Sequence, residues 1–389
     1  MAASAALRVG LLAGEVSGDR LGAGLIREIR RVYPDAVFEG VGGRRMIEAG
    51  CRSWLPMDEL SVMGLAEVLR HLGRLMEIKR GVTRRFIDHP PDVFVGIDSP
   101  DFNLRVETEL KAAGIPTVHY VSPSLWAWRP GRARTVARAV DRVLCLLPFE
   151  PSFYSDYDVD AVFVGHPMAD EIPLHPDRAA ARRDLGEPED GSLVAMLPGS
   201  RMTEIRTLAL PFAQTAARVA AERPEVRFLI PAATPQLKEP IRAACAAAGV
   251  AERVRLVDGR SREVMTAADI VLLASGTAAL EAALLKRPMV VAYRMSALSQ
   301  WVLETFRMVR IERFSLPNLV ADEELVPEFL QEAVVPEQMA DRLLAELDDP
   351  GRQAWLTARF CEIHETLACD ADRRAAEAVL GVIGRGIGP

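Results

Sequence analysis

Residues Leu272–Glu281 read LLASGTAALE and join two runs of different character. The run Asp269–Leu273 is mostly apolar, which is typical of a strand buried in a parallel sheet. Ala278–Leu285 is rich in alanine and leucine and predicts a helix. A strand that leads through Ser275–Thr277 into a helix presents unpaired backbone N–H groups and the positive end of the helix dipole. The segment therefore predicts an anion site within an α/β fold.

The same turn carries two features that favour a nucleotide. Gly276 lets a phosphate approach the backbone closely. Glu281 lies one helical turn beyond Thr277 on the same face, where a carboxylate can bind the diol of a ribose. A nucleoside diphosphate would satisfy both positions. The alternative is an ordinary helix start with Ser275 as its cap and no ligand.

A second turn of this kind follows the predicted strand Leu193–Leu197. Gly199 and Ser200 form the turn, and Arg201 begins a helix, where its guanidinium can clamp a diphosphate. The alternative for Arg201 is a surface arginine without a ligand. Asn318 follows Leu316-Pro317 in a rigid turn, and we expect it to reach the same site.

The first half of the chain opens with a similar unit. Leu7–Ala13 predicts a strand, and the turn after it contains Glu15, Ser17, Gly18 and Asp19 before a helix. Ligands of open α/β sheets bind at such carboxyl ends of strands. The turn lacks G-x-G-x-x-G, so a dinucleotide site is weakly indicated. The alternative is a tight turn in which Asp19 caps the helix.

Asp98 directly follows another predicted buried strand, Pro91–Ile97. A carboxylate at the carboxyl end of a strand is a suitable general base for a hydroxyl group. Capping of the next helix is the alternative for Asp98, and Asp101 fits that capping role better.

The strand and helix patterns repeat in two halves. The chain has 389 residues, enough for two domains. The Pro- and Asp-rich segment Asp170–Asp190 separates the two α/β repeats and predicts the connection. We expect two Rossmann-like domains facing a cleft, over residues 1–168 and 169–350, with helices in 351–389 that pack back on the first domain or on a partner chain.

Composition limits the classes of function. The net charge of −7 argues against a general nucleic-acid binder, so no nucleic-acid partner is expected. The five cysteines form no C-x-x-C pair and the histidines show no paired ligand spacing, so we predict no metal site and no cofactor. Two D-x-D pairs lie away from the phosphate turns and are interpreted as coincidence. The chain shows no signal-peptide pattern and no long apolar run, which favours the cytoplasm.

Residues 60–86 combine apolar positions at helical spacing with six basic residues and only two glutamates after Leu60. Such a basic amphipathic segment is typical of contact with an anionic membrane surface. The alternative is a core helix with a solvated basic face. Residues 298–313 form a second apolar and basic segment, which would share the lipid contact or pack internally.

Several segments, in order and nearly from end to end, resemble the lipid-A-disaccharide synthase family. The most specific is the run from Tyr120 to Arg129, whose tryptophans follow a Ser-Pro-Ser turn. The matching segments are Ala13–Asp19, Val95–Asn103, His119–Arg129, Leu147–Glu150, Leu197–Arg201, Leu273–Glu281 and Ser315–Leu319.

The resemblance implies a metal-independent, two-domain glycosyltransferase of the GT-B type. It would join UDP-2,3-diacylglucosamine to 2,3-diacylglucosamine 1-phosphate (lipid X), in lipid A biosynthesis of Gram-negative bacteria. It implies work at the cytoplasmic face of the inner membrane, and a homodimer is a further expectation. Two alternatives remain open, a UDP-sugar 2-epimerase and a non-catalytic lipid-binding protein.

The resemblance also gives the candidate residues their roles. Asp98 would be the catalytic base. Donor binding would fall to Gly199, Ser200, Arg201, Ser275, Gly276, Thr277, Glu281 and Asn318. Acceptor binding would fall to Glu15, Ser17, Gly18, Asp19 and Ser122.

Overall fold

The computed structural model describes residues 6–60, 65–123, 133–157, 159–295 and 313–386, with the backbone alone for 65–72. The chain divides into two compact units. The first unit contains residues 1–170 together with 367–389, and the second contains residues 171–366.

The first unit is built on a seven-stranded parallel sheet in the order β3-β2-β1-β4-β5-β6-β7. The central strands are fully buried because helices cover both faces, which explains their continuous apolar sequence. The strands are β1 (Arg8–Ala13), β2 (Val37–Val41), β3 (Cys51–Ser53), β4 (Val93–Ile97), β5 (Thr117–Tyr120), β6 (Arg142–Cys145) and β7 (Asp160–Phe163).

Eight described helices belong to this unit or to its boundary. They are α1 (Val16–Val32), α2 (Arg44–Ala49), α3 (Leu65–Asp88), α4 (Pro100–Ala112), α5 (Ala133–Ala139), α6 (Glu150–Tyr154), α7 (Pro167–Glu171) and α16 (Ala371–Val382). Single 3-10 turns lie at Met57–Glu59 and Ser155–Tyr157.

The second unit repeats the design with a six-stranded parallel sheet in the order β10-β9-β8-β11-β12-β13. Its strands are β8 (Leu193–Leu197), β9 (Arg227–Ala232), β10 (Val254–Asp258), β11 (Ile270–Ala274), β12 (Met289–Tyr293) and β13 (Glu328–Leu330). Its helices are α8 (Arg178–Leu185), α9 (Met202–Glu222), α10 (Pro235–Ala247), α11 (Ser261–Ala267), α12 (Thr277–Leu284), α13 (Leu316–Ala321), α14 (Pro336–Leu347) and α15 (Pro350–Leu367), with 3-10 turns at Ala251–Arg253 and Gln331–Ala333.

Strand order determines where each unit can bind a ligand. In the first sheet the order reverses between β1 and β4, and in the second it reverses between β8 and β11. Loops diverge at such a switch point and leave a crevice at the carboxyl ends of the strands. The predicted class, α/β with two Rossmann-like units, is confirmed. The turns that sequence reasoning selected follow these four strands.

The chain segments are divided between the units differently from the predicted domain limits. Helix α15 lies in the second unit, whereas α16 lies in the first. Ala375, Ala376, Val379 and Leu380 of α16 are fully buried in the core that β1, β4 and α1 form. The final helices are therefore not one segment: the apolar face of α16 completes the cover of the first sheet, whereas α15 belongs to the second unit.

The connection between the halves is also more structured than its composition indicated. Helix α8 lies within Asp170–Asp190, and its Arg182 side chain is fully buried. Arg182 donates to the backbone carbonyls of Glu189 and Gly191 at 2.7 and 2.9 Å, and it pairs with Asp269 at 2.7 Å. These bonds attach most of the Pro- and Asp-rich segment to the second sheet.

Candidate active site

The switch point of the second unit holds a pocket of about 350 Å³. Seven of the eight predicted donor-binding residues line it, from the β8–α9 turn and the β11–α12 turn. They are Gly199, Ser200, Arg201, Ser275, Gly276, Thr277 and Glu281. The pocket size lies within the range of small-ligand sites, about 300–1,000 Å³.

Helix α12 begins at this pocket without a side-chain cap on its N-cap residue, Gly276. A side-chain β-carbon at Gly276 would meet no atom within 4 Å, so the space beside its backbone is open. The Ser275 N–H is already donated to the Ala292 carbonyl at 2.8 Å within the sheet. The first N–H groups of α12 and its dipole are therefore the features suited to an anion.

The β8–α9 turn carries an internal carboxylate that sequence reasoning missed. Glu204 accepts hydrogen bonds from the backbone N–H groups of Ser200 and Arg201, at 2.8 and 3.2 Å. The glutamate three residues into a helix is the signal of a capping box, which could have identified it. The Arg201 side chain remains half exposed, 3.9 Å from Glu204, and is the cation that this turn offers to a ligand.

Glu281 lines the pocket and has a partner from another helix. Its Oε1 accepts a hydrogen bond from Nε of Arg262 on α11 at 2.8 Å. The carboxylate is mostly buried, with 17% of its side chain exposed. Arg262 thus fixes the orientation of the Glu281 carboxylate, which is predicted to bind a ribose. Because Arg262 lies on a separate helix, no local sequence signal indicated this contact.

Asn318 does not line this pocket. Its side chain is fully buried, its amide nitrogen donates to the Val326 carbonyl at 2.8 Å and to Glu328 at 2.7 Å, and its oxygen accepts from the N–H groups of Leu325 and Val326. All of these bonds stabilise the loop between α13 and β13. The structure therefore gives Asn318 a role within the loop and does not bring it to the other predicted residues.

In the first unit, Asp98 lies at the carboxyl end of β4, at the switch point. Its Oδ2 accepts a hydrogen bond from Ser17 Oγ at 3.0 Å, and its Oδ1 accepts from the Ser99 N–H at 2.9 Å. Ser17 belongs to the first turn of α1, so the two predicted residues are brought together as neighbouring strands require. The carboxylate remains partly exposed and can reach a bound hydroxyl.

The backbone at these strand ends is strained. Asp98 and Ser99 have positive φ angles of 55° and 44°, and Val121, after β5, has φ 84°. Positive φ is uncommon outside glycine and is a clear outlier for a β-branched residue such as Val121. Strained residues of this kind concentrate at functional sites because the surrounding structure must hold them.

Asn103, a residue that sequence reasoning did not assign, holds the strained turn. Its amide nitrogen lies 2.7 Å from the Asp98 carbonyl, 3.2 Å from that of Ile97 and 3.3 Å from that of Leu12. The side chain is fully buried on α4. One amide thus joins the ends of β1 and β4 to the turn at Asp98 and Ser99.

The remaining predicted acceptor residues divide into two groups. Glu15 is the N-cap residue of α1 and Gly18 packs against the end of β4, where an added β-carbon would lie 3.3 Å from the Ile97 carbonyl oxygen. Both lie in the same turn as Ser17. Asp19 is buried instead, and its two carboxylate oxygens each accept a hydrogen bond at 3.0 Å, from the N–H groups of Arg45 and Met46. Asp19 therefore caps α2, and its oxygens are occupied within the protein.

Ser122 is also buried, and its hydroxyl forms a 2.9 Å hydrogen bond with Tyr154 Oη. This bond ties the end of β5 to helix α6. Burial raises the pKa of the Tyr154 phenol, while the bond to Ser122 opposes that rise. The adjoining run of tryptophans, within residues 124–132, lies outside the described residues.

The described half of the amphipathic segment packs as a core helix. Ile78, Val82 and Phe86 of α3 are buried in a cluster with Leu12 and Phe94. Arg74, Lys79 and Arg84 of this half pair with carboxylates. Residues 61–64 and the side chains of 65–72 lie outside the description, as do 296–312, so the lipid contact predicted for 60–86 and 298–313 stays a prediction.

The described residues contain no group of three or more His, Cys, Asp or Glu side chains placed to hold a metal ion. Among the described helices, none combines the length and apolar composition needed to span a bilayer.

Solved structures share this two-unit fold at low sequence identity. The glycotransferase of kitacinnamycin matches with a TM-score of 0.65 at 15% identity, over 97% of this chain and 100% of that chain. A UDP-GlcNAc 2-epimerase from Neisseria meningitidis, bound to UDP-GlcNAc, matches with a TM-score of 0.60 at 12% identity, over 97% and 99% of the two chains. The fold is therefore that of the GT-B glycosyltransferases and their structural relatives.

Sequence comparison then identifies the family. The model of the family described as lipid-A-disaccharide synthetase matches residues 9–379. A lipid-A-disaccharide synthase of Alkalilimnicola ehrlichii is 55% identical over 97% of this chain and 99% of its own, and one of Chromohalobacter salexigens is 50% identical over 98% of both. The chain belongs to the lipid-A-disaccharide synthase family, as the sequence resemblance indicated.

Proposed function

We propose that this chain transfers a diacylglucosamine unit from UDP-2,3-diacylglucosamine to 2,3-diacylglucosamine 1-phosphate (lipid X). The products are the β-1,6-linked lipid A disaccharide 1-phosphate and UDP. Membership of the family supports the reaction. The observation that carries the chemistry is the carboxylate of Asp98, held by Ser17 and the Ser99 N–H at the switch point of the first unit.

In this proposal Asp98 takes the proton from the 6-hydroxyl of the acceptor. The hydroxyl oxygen attacks the anomeric carbon of the donor and forms the new carbon–oxygen bond. The bond from that carbon to the diphosphate breaks, and UDP leaves with the electron pair. A single displacement inverts the anomeric configuration. General-base assistance of this kind contributes about 10²–10⁴-fold in rate.

The donor would bind the pocket of the second unit. The N-terminus of α12 and the half-exposed Arg201 would meet the charge that develops on the leaving diphosphate, and Glu281, oriented by Arg262, would bind the ribose. Preorganised donors of this kind stabilise a developing charge by several kcal/mol, about 3–4 for a single lost donor in other enzymes. The proposal uses no metal ion, so activity should persist in excess EDTA.

The test of the base is Asp98→Asn, which keeps the shape of the side chain and removes its proton acceptor. We expect kcat to fall at least about 100-fold while the affinity for UDP stays unchanged. Asp101→Asn, three residues further along in the first turn of α4, is the matched control and should remain active. Normal turnover of the Asp98→Asn protein would refute the assigned role.

The test of the donor site is Arg201→Ala, with Arg206→Ala as the control on the same helix. Calorimetry should show weaker UDP binding for the first variant, by about tenfold or more, because a bond between charged groups contributes about 1.5–3 kcal/mol. The Arg206 variant should bind like the wild type. Equal UDP affinity in both variants would exclude Arg201 from the donor site.

An epimerase is the second candidate, because UDP-GlcNAc 2-epimerases share the fold. Incubation with the UDP-sugar alone separates the two functions. A transferase needs the acceptor to release UDP at a useful rate, whereas an epimerase converts the donor by itself. A non-catalytic lipid-binding protein would bind neither UDP nor the UDP-sugar.

We further propose that the protein works as a peripheral protein at the cytoplasmic face of the inner membrane, and as a homodimer. The basic and apolar character of residues 60–86 and 298–313 supports the first part. Flotation with vesicles containing anionic lipid, compared with neutral vesicles, tests membrane contact. Light scattering after size exclusion tests the dimer.

A further inference from the structure

A groove in the first unit is separate from the donor pocket and from the turn that carries Asp98 and Ser99, called the catalytic turn below. Its volume is about 980 Å³. The apolar side chains along it are Val16, Ile47, Trp54, Leu55, Pro56 and Met57. Val16 and Ile47 are 71% and 51% exposed. Single exposed apolar residues are ordinary, but two that line one groove of this size indicate a ligand with apolar surface.

Hydrogen bonds between three elements fix the walls of the groove. The Asp19 carboxylate on α1 accepts from the backbone of α2, and the Gly42 N–H donates to Ser53 Oγ at 3.2 Å. The backbone N–H of Trp54 donates to the Gly40 carbonyl at 2.8 Å. A β-carbon at Gly43 would lie 2.6 Å from Cγ of Asp19, so this close packing requires glycine. The groove is therefore preformed.

The groove begins beside the catalytic turn. Val16 lines it, and the next residue, Ser17, donates its hydroxyl hydrogen bond to Asp98 at 3.0 Å. A molecule whose hydroxyl group reaches Asp98 thus lies next to the apolar wall that Val16 opens.

The other wall leads to helix α3. The Trp54 ring packs on Phe86 with 4.6 Å between ring centroids, and the Arg85 guanidinium lies 4.1 Å from its centroid. Helix α3 carries the amphipathic sequence proposed above to contact lipid. The groove therefore extends from beside Asp98 to the C-terminal end of α3, the half of that helix that packs in the core.

Charged side chains of both signs line the groove, among them Glu48 and Asp58. Arg44 and Arg45 both line it. Arg44 is paired with Glu48 at 2.7 Å, whereas Arg45 is exposed and has no ion-pair partner among the residues that the structure describes. An apolar groove with a cation at its rim complements a molecule that carries both a hydrocarbon chain and an anionic group.

We propose that this groove holds one acyl chain of the lipid acceptor, with Arg45 beside the acceptor's phosphate. The inference rests on the proposed transferase function and adds the residues that select the acceptor. The acceptor is favoured over the donor because the groove adjoins Asp98, whereas the pocket suited to UDP belongs to the second unit.

The test is Ile47→Trp, which adds volume at the exposed wall of the groove. Initial rates are measured with lipid X analogues that differ only in acyl-chain length. We expect KM for the long-chain acceptor to rise about tenfold, equivalent to about 1.4 kcal/mol. KM for the short-chain acceptor and for the UDP-sugar should change less than twofold. Leu210→Trp, on an exposed position of α9 that is 42% accessible, is the matched control.

A second measurement uses the wild-type protein, so it does not depend on the variant's folding. An acceptor with a photoreactive group in its acyl chain should label the peptide that contains residues 42–58. Labelling elsewhere, or equal labelling by a phospholipid carrying the same chain, would overturn the proposal. A changed KM for the donor in place of the acceptor would also overturn it.

Different results would refute the proposed transferase function and the groove assignment. Wild-type protein that forms no disaccharide from either acceptor would refute the proposed function. An active wild type whose Ile47→Trp variant treats both chain lengths alike would refute the groove assignment and leave the transferase function standing.

Discussion

Asn103 shows how one buried side chain can hold a strained turn. Its amide nitrogen reaches the carbonyls of Leu12, Ile97 and Asp98, and it lies on the helix that follows the Asp98–Ser99 turn. Because Asp98 and Ser99 both have positive φ, their conformation needs such support. The direction of the Asp98 carboxylate therefore depends on a residue five positions further along the chain.

Replacing Asn103 with leucine keeps the approximate volume and removes the donor. We expect the free energy of unfolding to fall by about 1–3 kcal/mol, because buried carbonyls lose their hydrogen-bond donor. We also expect kcat to fall more than KM rises, because Asp98 is no longer held in place. Urea unfolding and steady-state kinetics measure the two effects, with Asp101→Asn as the control. Loss of stability with unchanged kcat would contradict the positioning role.

His166 gives the folded protein a dependence on pH. Its pKa is lowered to about 4, first by burial and then by the nearby Arg20 cation, whereas an unfolded histidine titrates near 6.5. Below pH 6.5 His166 is protonated in the unfolded chain, whereas in the folded chain it stays neutral down to about pH 4. Stability from this group is therefore present at neutral pH and is lost as the pH falls through this window.

The variant His166→Gln should remove that contribution. Between pH 6.5 and 4 we expect the wild type to lose stability faster than the variant, by up to about 1.4 kcal/mol per pH unit. Above pH 7.5 the difference between the two proteins should be constant. Denaturant unfolding at several pH values is the measurement, and parallel pH profiles would exclude His166 as the source.

At the scale of elements, the pattern of strands and turns was predictable because it depends on local sequence. Apolar runs such as Leu193–Leu197 and small polar turns such as Ser275–Thr277 gave both the parallel strands and the residues at their carboxyl ends. Adjacent central strands then bring those turns together. The short edge strands β3 and β13 were not predicted, since three residues give too little periodicity.

The hydrogen-bond partners of the predicted residues could not be predicted from local sequence. Asp19 is a capping residue, as one interpretation had it, but it caps α2, whose backbone lies 26 residues further along the chain. Arg262 reaches Glu281 from a separate helix. Asn318 lies in the short helix α13 and not in the turn that its proline predicted, and its bonds serve its own loop. Contacts of this kind depend on packing and leave no spacing signal in one sequence.

Two glycines of the first unit test how tightly its elements pack. Gly81 of α3 is exposed, and an added β-carbon would meet no atom within 4 Å. Gly81→Ala should therefore stabilise the protein by about 0.5–1 kcal/mol, since alanine favours the helix. Gly43→Ala should destabilise it by about 1–3 kcal/mol through the contact with Asp19.

Thermal or urea unfolding of both variants measures this contrast. The two substitutions add the same methyl group, so each serves as the control for the other. Stabilisation of both proteins would show that the methyl group at Gly43 is accommodated beside Asp19 without a loss of stability, contrary to the prediction.

At the scale of the whole molecule, helix α16 completes the hydrophobic core of the first unit. The residues of α16 that face the sheet are fully buried with those of α1 and β4. Arg142 donates to the Ala378 carbonyl at 2.7 Å and ties the helix to β6. The N–H groups of Asp370 and Ala371 donate to Asp170 at 2.9 and 2.7 Å.

A chain that ends at Thr366 should therefore lose the cooperative unfolding of the first unit and all transferase activity. The second unit, residues 171–366, is complete in that chain, so UDP binding should stay within about twofold, less than 0.5 kcal/mol. Calorimetry with and without UDP measures both properties. A chain ending at Gly384 keeps α16 and should behave like the full protein. Retained activity of the shorter chain would refute the role of α16.

Because the first unit is built from segments on both sides of the second, it cannot be completed before residues 171–366 have been translated. About 200 residues separate Asp170 from Leu367, and a ribosome needs roughly 10–40 s to add them at about 5–20 residues per second. For that time β1 and β4 lack part of their cover, so apolar surface stays open to chaperones and to aggregation. The second unit is contiguous and can fold first, which reverses the usual order in which nascent domains mature.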